Sequence, residues 1–186
     1  MGLREHITRL ASPDAKERDA AAEEIYIAGS VLARRAARAW LKDVEFAAFV
    51  GKEPKVTVGL AVPRELFSKI REANGSPRLA EVPPDQDAEE FELHFPGLYF
   101  DVLTSKAPEG NGAIARYLSK FGAGIQQVEF LCSNVDGATQ LVRERFGVTP
   151  IYPETRGGAD GTRVNFFLVT TDNGKVLIEL YEKKNA

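Results

Sequence analysis

Apolar residues recur at two spacings along this chain, and the spacing changes near Pro54. Before that point they fall three and four apart, the spacing of one face of a helix. Residues 1 to about 48 therefore read as helical. Ser12-Pro13-Asp14 predicts a helix start, with Ser12 as N-cap and Pro13 in the first turn. The Ala- and Glu-rich run DAKERDAAAEEIYIAG predicts a helix that stops at Gly29. A second helix is expected over SVLARRAARAWLKD, with Val31, Leu32, Ala36, Ala39 and Trp40 as its apolar stripe. A solenoid needs several stacked hairpins and only one is present, so residues 1–50 read as an N-terminal helical appendage.

After Pro54 the period becomes two. In KVTVGLAV, Val56, Val58, Leu60 and Val62 point one way, and Thr57, Gly59 and Ala61 the other. PRELFSKIREANG predicts a helix opened by Pro63 and closed at Asn74-Gly75. PRLAEV, EFELHF and LYFDVLTS then read as three strands between Pro- and Gly-containing turns. The same order returns: the strand QQVEFLCS, the helix VDGATQLVRERFG, and the strands VTPIYPE, RVNFFLVTT and KVLIELYE. A short helix is expected in the linker 110–123. An internal repeat of roughly fifty residues constrains topology more than any single strand. The reading is α+β: paired βαβββ modules, about 54–105 and 124–183, forming a cupped mixed sheet in a domain spanning 51–186.

The hairpin FELHF-PG-LYFDV fixes a register if Pro96-Gly97 is a two-residue turn. Phe95 then faces Leu98, His94 faces Tyr99, Leu93 faces Phe100, Glu92 faces Asp101, and Phe91 faces Val102. Alternate rungs are apolar, so a second face carries Glu92, His94, Tyr99 and Asp101. By the same parity Gln127 and Glu129 lie opposite Val128 and Phe130, and Glu179 lies opposite Ile178 and Leu180. A carboxylate inside VLIELY is unusual, because carboxylates are seldom buried without a partner.

Composition narrows the classes. With 44% hydrophobic residues the chain can build a core, and its net charge of −3 shows no basic face for nucleic acid. No apolar run is long enough to span a membrane, and MGLREH lacks the apolar stretch of a secretory leader. Cys132 is the single cysteine, which rules out an intrachain disulfide and a cysteine zinc cluster and points to a cytoplasmic protein. Its position with Val128 and Phe130 predicts an inert buried thiol. Arg34, Arg35 and Arg38 read as a solvated helix face. PEGNG and RGGADG lack the spacing of phosphate loops and read as turns.

GAIARYLSKFGAGIQQVEF, GADGTRVNFF and KVLIELYE together resemble the C-terminal half of methylmalonyl-CoA epimerases, of the vicinal-oxygen-chelate superfamily. The likeness is good over about 110–183 and weaker, in the same order, over 54–105. In that superfamily each module supplies ligands to one divalent metal in the cup. The resemblance implies ligand positions at Thr57, Asp101, Gln127 and Glu179, and a catalytic carboxylate close to Glu92. It makes Glu92 and Glu179 the catalytic candidates, and Thr57, His94, Tyr99, Gln127 and Asn165 the binding candidates. Asp101, Gln127 and Glu179 are the candidate metal ligands.

The superfamily normally has His where this chain has Thr57 and Gln127, and imidazole is the stronger ligand for zinc, cobalt or nickel. The oxygen donors that remain suit no cofactor, or a weakly bound Mg²⁺ or Mn²⁺, and no tight zinc. Glu92, Asp101, Gln127 and Glu179 are expected to converge on one cavity near His94 and Tyr99. Three functions follow from the resemblance and the residues. One is an epimerase- or lyase-like enzyme acting on a small carboxylate or acyl thioester, with a small-molecule site in the cup. Another is a metal-free ligand-binding protein of the bleomycin-resistance type. The third is an interaction protein working through its N-terminal helices. A small-molecule ligand is the expected partner, nucleic acid and membrane are not, and a homodimer is left open.

Overall fold

A computed structural model gives the architecture, described for residues 1–183. In chain order the helices are α1 (Leu3–Arg9), α2 (Ala15–Ala36), α3 (Val44–Val50), α4 (Arg64–Ala73), α5 (Ala113–Phe121) and α6 (Val135–Phe146). The strands are β1 (Val56–Ala61), β2 (Glu89–Phe95), β3 (Leu98–Thr104), β4 (Gly124–Leu131), β5 (Arg156–Gly157), β6 (Arg163–Thr171) and β7 (Gly174–Glu182). The fold is α+β with mixed strand pairing. The chain divides into two compact units: Met1–Gly29 with Val58–Gln126, and Ser30–Thr57 with the residues from Gln127 onward.

In the N-terminal unit the strands run β2-β3-β1. β1 and β3 are parallel, with Val58 opposite Phe100 and Gly59 opposite Asp101. β2 and β3 form the hairpin in the register that the apolar rungs predict, from Phe91↔Val102 to Phe95↔Leu98. Gly97 takes φ +76°, which lets Pro96 and Gly97 close the turn in two residues. Phe91, Leu93, Phe100 and Val102 are buried on one face, and Phe67 of α4 packs edge-on against Phe91 at 4.8 Å. Burying each such side chain stabilises by roughly 1.5–3 kcal/mol.

The C-terminal unit repeats the scheme with strands β4-β7-β6-β5. β4 and β7 are parallel, and β6 and β7 form a long antiparallel hairpin. Val128, Phe130, Ile178, Leu180 and Phe167 fill the core face, with Val135, Ala138 and Val142 of α6 also buried. The equivalences are β1 with β4, β2 with β6 and β3 with β7.

Two expected strands do not form. PRLAEV and VTPIYPE are irregular, and the short β5 falls after the second of them. Pro83 and Pro84 end the first segment, and Pro150 and Pro153 interrupt the second; a proline has no N–H to give a ladder. Each segment keeps a backbone bond to the following strand, Ala80 N–H to Glu90 O at 2.9 Å and Ile151 N–H to Phe166 O at 2.7 Å.

The helical region also differs in its punctuation. α2 runs through Gly29 to Ala36 and does not stop there. Its buried positions are Ala21, Ala22, Ile25, Ala33 and Ala36, while Val31 is exposed. The cap of α2 shifts from Ser12 to Asp14, whose Oδ1 accepts the Lys16 N–H at 2.9 Å, while Ser12 Oγ accepts from Asp14 N. Residues 1–50 contribute core to both units. Tyr26 meets Phe100 edge-on at 5.9 Å in the N-terminal unit. In the C-terminal unit Trp40 packs against Phe46, Phe146 and Phe167 at 5.4–6.4 Å between ring centroids.

Among the described residues no helix is long and apolar enough to cross a membrane. Arg34, Arg35 and Arg38 are exposed, as expected of a solvated face.

Candidate functional site

Strand parity decides which side chains share a face. In the C-terminal unit Glu129 of β4 and Glu179 of β7 are opposite one another across the parallel pair. Gln127 lies two residues before Glu129 and therefore on the same face. Gln127 and Glu129 are buried, and Glu179 is half-buried. The Gln127 side-chain amide donates to Glu129 Oε1 at 2.9 Å and to Glu179 Oε2 at 2.6 Å. One NH₂ group thus bridges two carboxylates. These are charge-assisted bonds, and they offset part of the cost of holding two acids side by side away from water.

Phe166 of β6 continues the same rung, opposite Glu179. Tyr152 meets Phe166 edge-on at 6.0 Å, and the Arg156 guanidinium sits 4.6 Å from the Tyr152 ring centre. The polar centre of Gln127, Glu129 and Glu179 is therefore flanked by Phe166, from which a row of ring contacts leads to Tyr152 and then to Arg156. That combination suits a ligand with an apolar body and one polar, carbonyl-bearing end.

Glu129 was missing from the residues that the sequence singled out for the site. Its parity with Gln127 and Glu179 was visible, but alternation alone does not say that β4 and β7 are parallel neighbours with Glu129 directly opposite Glu179. Asn165 is placed differently. It is fully buried opposite Leu180, on the core face. Its amide holds the backbone of Tyr152, donating to Tyr152 O at 3.1 Å and accepting from Tyr152 N at 3.3 Å. Its work is to pin the irregular segment that carries Tyr152.

In the N-terminal unit Glu92, His94, Tyr99 and Asp101 share one face of the hairpin. Glu92 and His94 are each about half exposed, with carboxylate and imidazole 3.4 Å apart. His94 meets Tyr99 edge-on at 5.4 Å. Asp101 is half-buried opposite Gly59 and Glu92. The next positions on that face are apolar: Ala61 and Leu103 pack with Ala88 and Ile114 of α5. Asp101 therefore stands between a wet end of the face and a dry one. Thr57, on β1, is half-buried and falls in the C-terminal unit. The structure thus gathers Gln127 with Glu179 in one unit, and Glu92, His94, Tyr99 and Asp101 in the other.

Cys132 is buried on the core face, and its thiol is pushed up to about 12, first by burial and then by the nearby Glu182 charge. That is the inert thiol its position predicts.

The superfamily's divalent metal can be tested against the donor set. Among the described residues no three His, Cys, Asp or Glu side chains are grouped so as to hold a metal. At Gln127 and Glu179 the chain presents two carboxylates and an amide turned with its N–H groups toward both. An N–H donor repels a cation, so this half of the site does not fit the metal as it stands.

No protein-family model and no curated protein sequence matches the chain. Solved structures do. Methylmalonyl-CoA epimerase from Mycobacterium tuberculosis is 30% identical with a TM-score of 0.56, covering 69% of this chain and 87% of its own. A Streptomyces coelicolor methylmalonyl-CoA epimerase variant in complex with 2-nitronate-propionyl-CoA is 25% identical with a TM-score of 0.58, covering 69% of this chain and 96% of its own. A hypothetical protein from Bacillus halodurans is 26% identical with a TM-score of 0.57, covering 70% of this chain and 94% of its own. With the repeated strand–helix–strand units, these matches define the class: the chain belongs to the vicinal-oxygen-chelate superfamily. Within that superfamily its likeness is to the methylmalonyl-CoA epimerases.

Proposed function

We propose that this chain is an epimerase-like enzyme that moves the proton beside the carbonyl of an acyl-CoA-type thioester or small carboxylate. The observation that carries the reading is the bridged pair of Glu129 and Glu179. Buried carboxylates cost stability, and a protein that only binds an uncharged ligand has no need of two. The likeness to epimerases, one of them in complex with a propionyl-CoA nitronate, supports the substrate class.

In this reading the Glu179 carboxylate takes the proton from the carbon next to the carbonyl. The electron pair of the broken C–H bond moves onto the carbonyl oxygen as an enolate, delivery of a proton from water to the opposite face of that carbon inverts it, and loss of the first proton from Glu179 to water restores the enzyme with nothing consumed. Gln127 holds Glu179 by its 2.6 Å bond and so fixes the direction of its oxygens. Phe166, Tyr152 and Arg156 border the ligand. Glu92 is the less suitable base, because at about half exposure it is solvated and shares its face with His94. No step is routed through a metal, since the donor set does not fit one.

The test is deuterium wash-in. Methylmalonyl-CoA incubated with the protein in D₂O should lose its C2 proton signal, and Glu179→Gln should slow that loss by about 10²–10⁴-fold. No exchange with the unaltered protein sinks the enzymatic reading. Ligand binding without exchange would favour the second one, a metal-free binding protein of the bleomycin-resistance type. The amide–carboxylate bonds favour that reading to the extent that they engage both Gln127 N–H groups, which are then not offered to an enolate.

A further inference from the structure

We propose that the Gln127 amide replaces a divalent cation in the C-terminal unit, clamping Glu129 to Glu179 so that this unit has no use for a metal. The superfamily resemblance puts metal ligands at Gln127 and Glu179. The structure adds Glu129, buried and directly opposite Glu179 on the neighbouring parallel strand. Two carboxylates held this way need positive charge or N–H donors between them. Gln127 supplies the donors from a single nitrogen, at 2.9 and 2.6 Å.

The orientation of the amide is dictated by its neighbours. A carboxylate oxygen accepts hydrogen bonds, and the NH₂ end faces one oxygen of each glutamate. Turned the other way, the amide would set a third oxygen against two carboxyl groups, an arrangement that needs a cation or a shared proton in the middle. A metal would therefore have to break two charge-assisted bonds and rotate the side chain before it found a ligand. An imidazole in the same place could offer a nitrogen lone pair directly. The exchange of histidine for glutamine turns a cation-seeking site into a self-satisfied one, and Glu129 is part of the device.

The inference concerns the donor set and stands apart from the proton-transfer reading, so the two can fail separately. The test uses the full chain purified without chelator, titrated with MnCl₂ and followed by the electron paramagnetic resonance of free Mn²⁺. The unaltered protein should leave that signal undiminished. Gln127→Glu replaces the N–H donors with a third carboxylate and should bind Mn²⁺ about 10- to 100-fold tighter, with a melting temperature that rises on adding Mn²⁺. If Gln127→Glu does not fold, Gln127→His titrated with Co²⁺ gives the same comparison through the visible absorption of the bound ion. Mn²⁺ that stays with the unaltered protein through dialysis overturns the proposal. So does equal affinity in the variant and the unaltered chain, and so does failure of both to bind, because the amide would then not be what excludes the metal.

Discussion

Gly29 of α2 lies so close to Val58 of β1 that a Cβ on the glycine would stand 2.5 Å from Val58 Cγ2 and 2.8 Å from Cγ1. Non-bonded carbons essentially never sit that close, so the helix backbone at Gly29 rests directly on the Val58 side chain. Gly29→Ala should gain about 1 kcal/mol of helix propensity and lose about 1–3 kcal/mol to overpacking, so the expected sum is a loss. Gly29→Leu should lose more. Val58→Ala in the Gly29→Ala background should recover part of the loss. Urea denaturation of both single variants and the double variant reads this as a coupling energy, and strict additivity would show that the contact does not matter.

A charge cluster ties α3 to α6. Arg145 donates to Asp43 at 2.8 Å and reaches Glu45 at 2.8 Å, while Asp43 caps α3 by accepting from Glu45 N and Phe46 N. The Arg145 hydrogen bond and then the Phe46 N–H hold the Asp43 carboxyl below its usual range. A group whose folded pKa is lowered stabilises the fold above its unfolded pKa, about 4, and loses that contribution as pH falls through the lowered value. Acid should therefore weaken this contact at the bottom of the pH scale, while changes around neutrality leave it alone. Asp43→Asn keeps a cap acceptor but removes the charge, and should flatten the fall of melting temperature below about pH 4. An unchanged slope would assign the acid sensitivity to other carboxylates.

The Cys132 thiol, raised to about 12 and buried, should stay silent to a disulfide reagent at pH 8 in the folded protein. It should react promptly once guanidinium unfolds the chain. Rapid native labelling would mean that the segment just after β4 opens far more readily than the burial of Cys132 implies.

Asn165→Ala should cost about 1–3 kcal/mol, the loss of two hydrogen bonds to the Tyr152 backbone at about 0.5–1.5 kcal/mol each. Its local effect is more telling. The segment around Tyr152 should become the first site of protease cleavage, and any ligand that stacks on Tyr152 should bind more weakly. Equal protease resistance in the variant would show that proline alone holds the segment.

What could be read in advance was what two-residue periodicity dictates. The hairpin register from Phe91 to Val102 followed from its apolar rungs, because a slip by one residue would turn every one of them outward. The strand–helix units and the superfamily likeness were legible for the same reason. Proline-bearing segments misled: VTPIYPE loses two N–H groups to Pro150 and Pro153, and PRLAEV is hemmed between Pro77 and Pro83-Pro84. Gly29 misled in the other direction. A glycine in an Ala-rich helix looks like a stop, and only the strand beside it shows that it is there for close approach. At the site, the faces of Gln127 and Glu179 were evident from alternation. That Glu129 joins them depends on which strands become neighbours, a nonlocal fact.

Three elements cross the division between the two units: α2 at residues 29 and 30, β1 at 57 and 58, and β4 at 126 and 127. The order in which the chain leaves the ribosome therefore differs from the order in which its units can be finished. Trp40 and Phe46 emerge early and meet each other, but Trp40 also packs with Phe146 and Phe167, which come much later in the chain. Until those arrive, the stretch from Ser30 to Thr57 carries apolar side chains with no core to enter. A nascent chain in that state is a natural client for a chaperone. Slowed translation ahead of β6 should prolong that exposure, whereas pauses after β7 should be harmless.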